Sequence, residues 1–343
     1  MSADAFPWDP ADPFVWRDAE RAIVFRDTGV RDAPELLAEH GFESFELFTT
    51  ERASGDAPLL GEAAGAVHIV PSGQVPDTAA ALLDDSGSSR LVAFGGGRVI
   101  DTAKAVASVS GAEVAAIPTT LSGAEMTGIH RIPAGAEDRV NGLVRPSLVV
   151  AEPAAMTGLP EPRLRASAMN ALAHAADSLY TPFANPVSRM TALRGAELIA
   201  TALDQEREGR NRAALALGAI LSGYAIDSGM FAIHHVICQT LVRVCGSPHA
   251  ETNAAILPRA MAFMAPRAPA EIDALAAAIG TEPDRIEERI LELGGGPPGL
   301  GSVGGDRERL GEAVEAMLVR PELGHTPGAP NAEELTALIE RAW

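Results

Sequence analysis

The sequence is poor in cysteine, in aromatic residues and in positive charge. Its two cysteines, Cys238 and Cys245, both lie within one apolar stretch. Two thiols without a spaced framework exclude a disulfide-stapled secreted scaffold and fit a reducing cytoplasm. Aromatic residues make up 4% of the chain while alanine, leucine and glycine abound, which favours helices packed closely through small contact residues. Lysine and arginine number 27 against 46 acidic residues, a net charge of −19. That balance excludes sequence-independent binding to nucleic acid or anionic membranes, both of which need clustered cations. It also means that an anionic ligand must be held by local donors. No basic segment followed by an apolar one opens the chain, so a cytoplasmic protein without a signal peptide is expected. The apolar run over 213–245 is broken by Gly218, Gly223, Asp227, a histidine pair and Arg243, and reads as buried helices rather than a membrane span.

What is present is a globular composition, 47% hydrophobic and 21% charged, on a 343-residue chain too long for one ordinary core. The first twenty residues are polar and proline-bearing and read as an arm. Strands are expected at 21–26, 45–49, 66–70, 90–94 and 113–117, with helices at 32–40, 77–83 and 98–109 between them. Such alternation argues for a doubly wound α/β half with a parallel sheet. From 161 onward the pattern is helical, with helices expected at 161–180, 188–202, 212–226, 232–244, 254–264, 269–279, 283–293, 306–318 and 332–342. Asn331 with Glu334 three residues on reads as the N-cap of the last helix. The glycine- and proline-rich 294–305 segment follows no strand and reads as a connector between helices.

Two stretches carry chemistry. The strand ending in Gly95-Gly96-Gly97 opens a helix, which lets the backbone approach a pyrophosphate with helix N–H groups and the dipole facing it. Its spacing is not that of the Gly-x-Gly-x-x-Gly fingerprint. The next strand also ends in a polar turn, Thr119-Thr120-Leu121-Ser122-Gly123, so two successive strand ends suggest a phosphate crevice at the carboxyl edge of the sheet. Asp101 and Lys104 sit one turn inside the helix. The second stretch runs from Phe231 to Pro258 and places His235 and His249 fourteen residues apart. Upstream, Asn170 and His174 stand at i and i+4, on one face of a helix. An i,i+4 pair and two histidines from another segment make a plausible four-ligand cage for a divalent metal.

The phrases GGGRVIDTAKAVA, IPTTLSGAEMT, AMNALAHAAD and HHVICQTLVRVCGSPHAETNAAILP together resemble the iron-containing alcohol dehydrogenase superfamily, over roughly residues 20–343. SGAEMT, Asn170 in place of an aspartate, HHxxC, PHAET and the closing ALIERAW make the chain most similar to the maleylacetate reductases within it. The resemblance implies a dehydroquinate synthase-like architecture, with a dinucleotide-binding domain over 1–158 and a helical substrate and metal domain over 159–343. An active site in the cleft between them is expected. It implies that Gly95, Gly96, Gly97, Asp101, Thr119, Thr120 and Ser122 bind NADH or NADPH, with Thr49 or Thr50 at the adenosine end. Asn170, His174, His235 and His249 would be the metal positions, for Fe²⁺ or Zn²⁺. His235, His249 and His174 would be the catalytic groups.

Departures qualify this. Asn170 removes a negative charge from the cage, which weakens a divalent ion and leaves the metal open. Arg98 stands where the family has a serine, Gln239 and Asn253 replace histidines, and only Arg139 or Arg145 stands where a lysine usually serves the cofactor. The expectation is an NAD(P)H-dependent reductase of a small, carboxylated keto or enone substrate, as in maleylacetate to 3-oxoadipate in aromatic-compound catabolism, working as a homodimer. The alternatives are a metal-dependent alcohol dehydrogenase and a repurposed homologue without hydride transfer, either a lyase or isomerase or an accessory protein.

Overall fold

The computed structural model describes residues 14–18, 21–296 and 299–343. The chain divides into two compact units, Met1–Gly158 and Leu159–Trp343.

The first unit is built on a seven-stranded sheet. Its strands are β1 (Phe14–Asp18), β2 (Arg21–Phe25), β3 (Glu46–Thr49), β4 (Ala66–Ile69), β5 (Arg90–Gly95), β6 (Glu113–Pro118) and β7 (Leu148–Ala151), in the order β1-β2-β7-β6-β5-β3-β4. All pairings are parallel except β1 with β2, where Phe14 lies opposite Phe25. The expected N-terminal arm is therefore corrected in part: residues 14–18 are an edge strand, while 1–13 and 19–20 lie outside the described residues. Helices α1 (Ala33–Glu39), α2 (Glu51–Ser54), α3 (Pro58–Ala63), α4 (Val75–Leu83), α5 (Gly97–Ser110) and α6 (Pro153–Met156) complete the unit.

Side chains alternate across a strand, so Val92 and Phe94 of β5 and Ala115 and Ile117 of β6 point to one face, and Leu91, Ala93, Val114 and Ala116 to the other. The first set packs with Leu36 and Leu37 of α1 and Leu60 of α3. The second packs with Ala79 of α4 and Val99, Ile100, Ala103 and Val106 of α5. Both faces are covered, which is why β5, β6 and β7 read as continuous apolar runs. From β3 the chain winds outward to β4, and from β5 it winds the opposite way to β6. The carboxyl ends of β3 and β5 thus flank a topological switch point, where open α/β sheets bind ligands.

The second unit is helical: α7 (Glu161–Leu179), α8 (Pro186–Leu203), α9 (Arg212–Gly229), α10 (Ile233–Val244), α11 (His249–Met264), α12 (Pro269–Ala278), α13 (Ile286–Leu293), α14 (Leu310–Leu318) and α15 (Ala332–Glu340). The helix expected to begin at 254 starts at His249. Gly246, with φ +69°, makes the turn that ends the previous segment, and Pro248 cannot continue a helix from before it. Asn331 forms the expected capping box with Glu334. The scarcity of bulky residues is realised where α8 crosses α9: a Cβ on Gly195 would fall 2.9 Å from the Gly218 carbonyl, so the two backbones touch.

Among the described residues, no single helix is long and apolar enough to cross a membrane. The successive helices α9 and α10 bend by 97° at their junction, and both are buried core helices. That junction is Met230, a non-glycine residue at φ 59°. A left-handed methionine costs roughly 1–3 kcal/mol, and here it turns the chain so that α10 begins with His234 and His235 in the core.

Candidate active site

The glycine turn is a packed structure. A Cβ on Gly96 would lie 2.9 Å from Thr120 Cγ2, and one on Gly97 would lie 2.9 Å from Ser122 Oγ. One on Gly95 would lie 2.7 Å from Val99. The Thr119 N–H donates to the Gly95 carbonyl at 2.9 Å. The structure thus brings Gly95, Gly96, Gly97, Thr119, Thr120 and Ser122 together at the amino end of α5. That end carries N–H groups without intrahelical acceptors and no acidic residue in the first turn. The Thr120 hydroxyl is buried with no partner. Such a cradle, with an unused hydroxyl and a positive helix end, fits the pyrophosphate of a dinucleotide. Arg98 is exposed on the first turn, as are Arg139 and Arg145 further along the chain. Of the threonines after β3, Thr49 is fully buried with its hydroxyl unpartnered, whereas Thr50 caps α2 by accepting the Ala53 N–H at 3.2 Å.

Behind the cradle lies a residue whose role the sequence left open. Lys104 is fully buried, and its ammonium donates to the Ala124 and Ile129 carbonyls at 3.0 and 2.7 Å and to Asp101 at 3.2 Å. Asp101 is thus the counter-ion of Lys104, and Lys104 ties the Ser122–Gly123–Ala124 turn onto α5. Glu125 sits in the same loop, wholly buried and without a hydrogen-bond partner for either carboxylate oxygen. Burial pushes its carboxyl up from 4.5 to about 7, against the pull of Lys104 and Arg21. The folded protein holds this proton more tightly than the unfolded chain. Its contribution is therefore present below pH 4.5 and is lost as pH rises through about 7. A Glu125→Gln variant should match the wild type near pH 4.5 and exceed it at pH 8 by on the order of 3 kcal/mol, read as a higher thermal midpoint at the alkaline pH only. An equal difference at both pH values would contradict the assignment.

The histidine cluster is built by α7, α10 and α11. Asn170 and His174 lie one turn apart on α7, both buried. The His174 ring stacks on that of His235 at 5.0 Å between centroids, 20° from parallel. His235 in turn donates from Nδ1 to Asp177 Oδ2 at 2.8 Å. Asp177, one turn after His174, is the organising residue. Its Oδ2 also accepts the N–H groups of Ala232 (3.0 Å) and His235 (3.1 Å), and its Oδ1 accepts the His234 N–H (3.4 Å) and the Tyr180 hydroxyl. A carboxylate from α7 therefore caps α10, whose own flanking residues supply no side-chain cap. Burial pushes Asp177 up, and the His235 bond, the neighbouring histidines and Tyr180 outweigh it, leaving the carboxyl well below its usual range. Burial and its sister histidines hold His174 well below 6.5. Burial, followed by His235, takes His234 down to about 3.

The nitrogens left over are informative. His235 Nε2 and His174 Nδ1 are both buried with no partner. His249 is the first residue of α11 and is exposed, close enough to His174 and His234 to disfavour charge on both. Asp177, His234 and His235 bring potential ligand atoms within 4.8 Å of one another. Asp177 already accepts from five donors, so this triad acts as an anchor for α10 rather than as a metal site. The imidazoles of the expected cage fit a divalent cation in donor type, and Asp177 behind His235 is the usual outer partner of a ligating histidine. With Asn170 the set is neutral. Gln239 accepts from Arg320 at 3.0 Å. Asn253 is buried, and its amide donates to the His249 carbonyl at 2.7 Å.

Residues 21–153 match the iron-containing alcohol dehydrogenase family, and residues 165–343 match the Fe-containing alcohol dehydrogenase family, C-terminal. The chain belongs to the iron-containing alcohol dehydrogenase family. It is 34% identical over 278 residues to maleylacetate reductase 1 of Rhodococcus opacus, covering 79% of this chain and 77% of that protein. It is 28% identical to a maleylacetate reductase of Rhizobium sp., over 96% of this chain and 98% of that one. The crystal structure of maleylacetate reductase from Agrobacterium tumefaciens superposes with a TM-score of 0.81 at 27% identity, over 97% and 98% of the two chains. The protein is thus an oxidoreductase of this family, with its α/β half followed by its helical half. Asp177, His234, Tyr180 and Glu125 were not singled out from sequence. For Asp177 a signal existed: it stands at i+7 from Asn170 and i+3 from His174, on the same helical face.

Proposed function

We propose that this oxidoreductase is an NAD(P)H-dependent reductase of a small carboxylated keto or enone substrate, of the maleylacetate reductase type. The observation that carries it is the Asp177–His235–His174 arrangement. His235 is locked by a buried carboxylate with Nε2 turned free, and it stacks on a histidine whose protonation burial opposes. The reduced nicotinamide supplies a hydride, and a divalent cation, if held by Asn170, His174, His235 and His249, supplies Lewis-acid polarisation of the carbonyl. The chain's own residues do the rest. The glycine cradle with Thr119, Thr120 and Ser122 holds the pyrophosphate. Asp177 fixes His235 through Nδ1, so that Nε2 either ligates the cation or, without one, passes a solvent-derived proton to the new alkoxide. Burial and the neighbouring histidines oppose protonation of His174, which suits it to ligate or hydrogen-bond rather than to act as a charged acid.

The test is a titration of metal-analysed protein with NADH and NADPH, followed by nicotinamide fluorescence, and then NADH oxidation with maleylacetate, with and without Fe²⁺ or Zn²⁺. Binding with a Kd between about 1 μM and 1 mM, with turnover, is expected. Failure to bind either nucleotide at millimolar concentration sinks the reading.

A further inference from the structure

We infer that Arg320 is the substrate-carboxylate receptor of this site, positioned by Gln239; the inference deepens the reductase reading above and rests on it. Gln239 stands one turn after His235 on α10, on the same face of the helix. Its Oε1 accepts from Arg320 Nη2 at 3.0 Å. The guanidinium carbon lies 5.7 Å from the centre of the Phe231 ring, and the His235 ring lies 5.9 Å from that same ring. A residue 81 positions away in sequence is thereby brought beside the histidine cluster. The guanidinium is fixed from a second side, where Nε meets Glu322 at 3.2 Å. Nη1 makes no bond to the protein among the described residues, and the side chain is 19% exposed.

A planar fork held at two of its three nitrogens, with the third open, is built to take a carboxylate oxygen. His325 lines the same place: its Nδ1 donates to the Phe231 carbonyl at 3.0 Å, which leaves Nε2 as an acceptor or, when protonated, a second cationic donor. On a chain of net charge −19, an anionic substrate needs such a local cation. A glutamine at 239 accepts from the arginine at every pH. A histidine there would lose that ability on protonation. Because an aromatic ring separates Arg320 from His235, the carboxylate that Arg320 takes is several bonds from the reacting carbonyl. The fit is to a keto acid with a distal carboxylate rather than an α-keto acid.

The test uses 3-oxoadipate as the probe, with its dimethyl ester as the uncharged control, and reads direct binding by thermal shift and calorimetry so that no turnover is needed. Wild-type protein should be stabilised by 3-oxoadipate and not by the ester. Arg320→Met should weaken the acid at least about tenfold while leaving the NADH Kd unchanged. Glu322→Gln, which keeps an acceptor for Nε but removes the carboxylate charge that competes for the guanidinium, should tighten the acid severalfold. If Arg320→Met does not fold, the Glu322→Gln result decides: unchanged or weaker binding overturns the inference, since a purely structural clamp gains nothing from losing Glu322. No binding of 3-oxoadipate by the wild type, or equal binding by Arg320→Met, also overturns it. Arg320-dependent binding in a protein that never oxidises NADH would leave this assignment standing and remove the reductase reading instead.

Discussion

A Gly96→Asp variant should bind NADH and NADPH about 10³-fold more weakly than the wild type. Two effects add. A Cβ at this position meets Thr120 Cγ2 at 2.9 Å, so the two turns that form the cradle must separate. The new carboxylate then sits at the N-cap of α5, where aspartate is a preferred residue, and satisfies the N–H groups that a phosphate would use. It also places a negative charge beside the pyrophosphate. Two like charges about 4 Å apart at an effective dielectric near 20 repel by about 4 kcal/mol, close to the stated loss. Gly96→Ala carries the steric part alone and should lose much less. Nicotinamide fluorescence titration separates the two variants. Wild-type-like affinity in Gly96→Asp would show that the dinucleotide, if bound, lies elsewhere.

The second large effect is expected at Asp177. In an Asp177→Asn variant the amide oxygen can still accept from backbone N–H groups, but the –NH₂ group faces donors on its other side. If it turns toward His235, Nδ1 must become the acceptor and the proton moves to Nε2. A neutral ring with its only proton on Nε2 is a poor acid, can no longer offer that nitrogen's lone pair, and has lost the carboxylate that accepted from Nδ1. A fall in kcat of about 10²–10⁴ follows, with NADH affinity unchanged because the cradle belongs to the other unit. Stability should fall as well, by roughly 1.5–3 kcal/mol for each charge-assisted bond lost. The ¹⁵N shifts of the His235 ring report the tautomer directly. Full kcat with an unaltered His235 spectrum would show that Asp177 serves only to cap α10.

The strand and helix pattern of the first unit was legible because each element has its own signal. Residues 90–94 and 113–117 are short apolar runs ending at glycine or proline, and β5 and β6 extend one residue past each. β7 was not expected. Its four residues, Leu-Val-Val-Ala, have no periodicity of their own and follow a long irregular segment, so only pairing with β2 and β6 marks them as a strand. The same holds for β1, five residues within a proline-bearing N-terminal stretch that only pairing with β2 marks as a strand.

The site divides along similar lines. Gly95–Gly96–Gly97, the Thr119–Thr120 turn, and the spacings of Asn170 with His174 and His235 with His249 are local, and the sequence by itself determined them together with the family. It also determined the α/β half followed by a helical half, since periodicity and glycine placement depend on neighbours along the chain. Only the tertiary structure decided which polar groups face one another. Asp177 and His235 are 58 residues apart, and Arg320 and Gln239 are 81. In sequence each is one more charged or polar residue in a helix or loop. The pairing of Asp177 with His235 arises because Met230 folds α10 back onto α7, which puts the helix start over a carboxylate that water cannot reach. Burial then turns a common residue into a strong anchor, because an ion taken out of solvent must find its partners inside the protein.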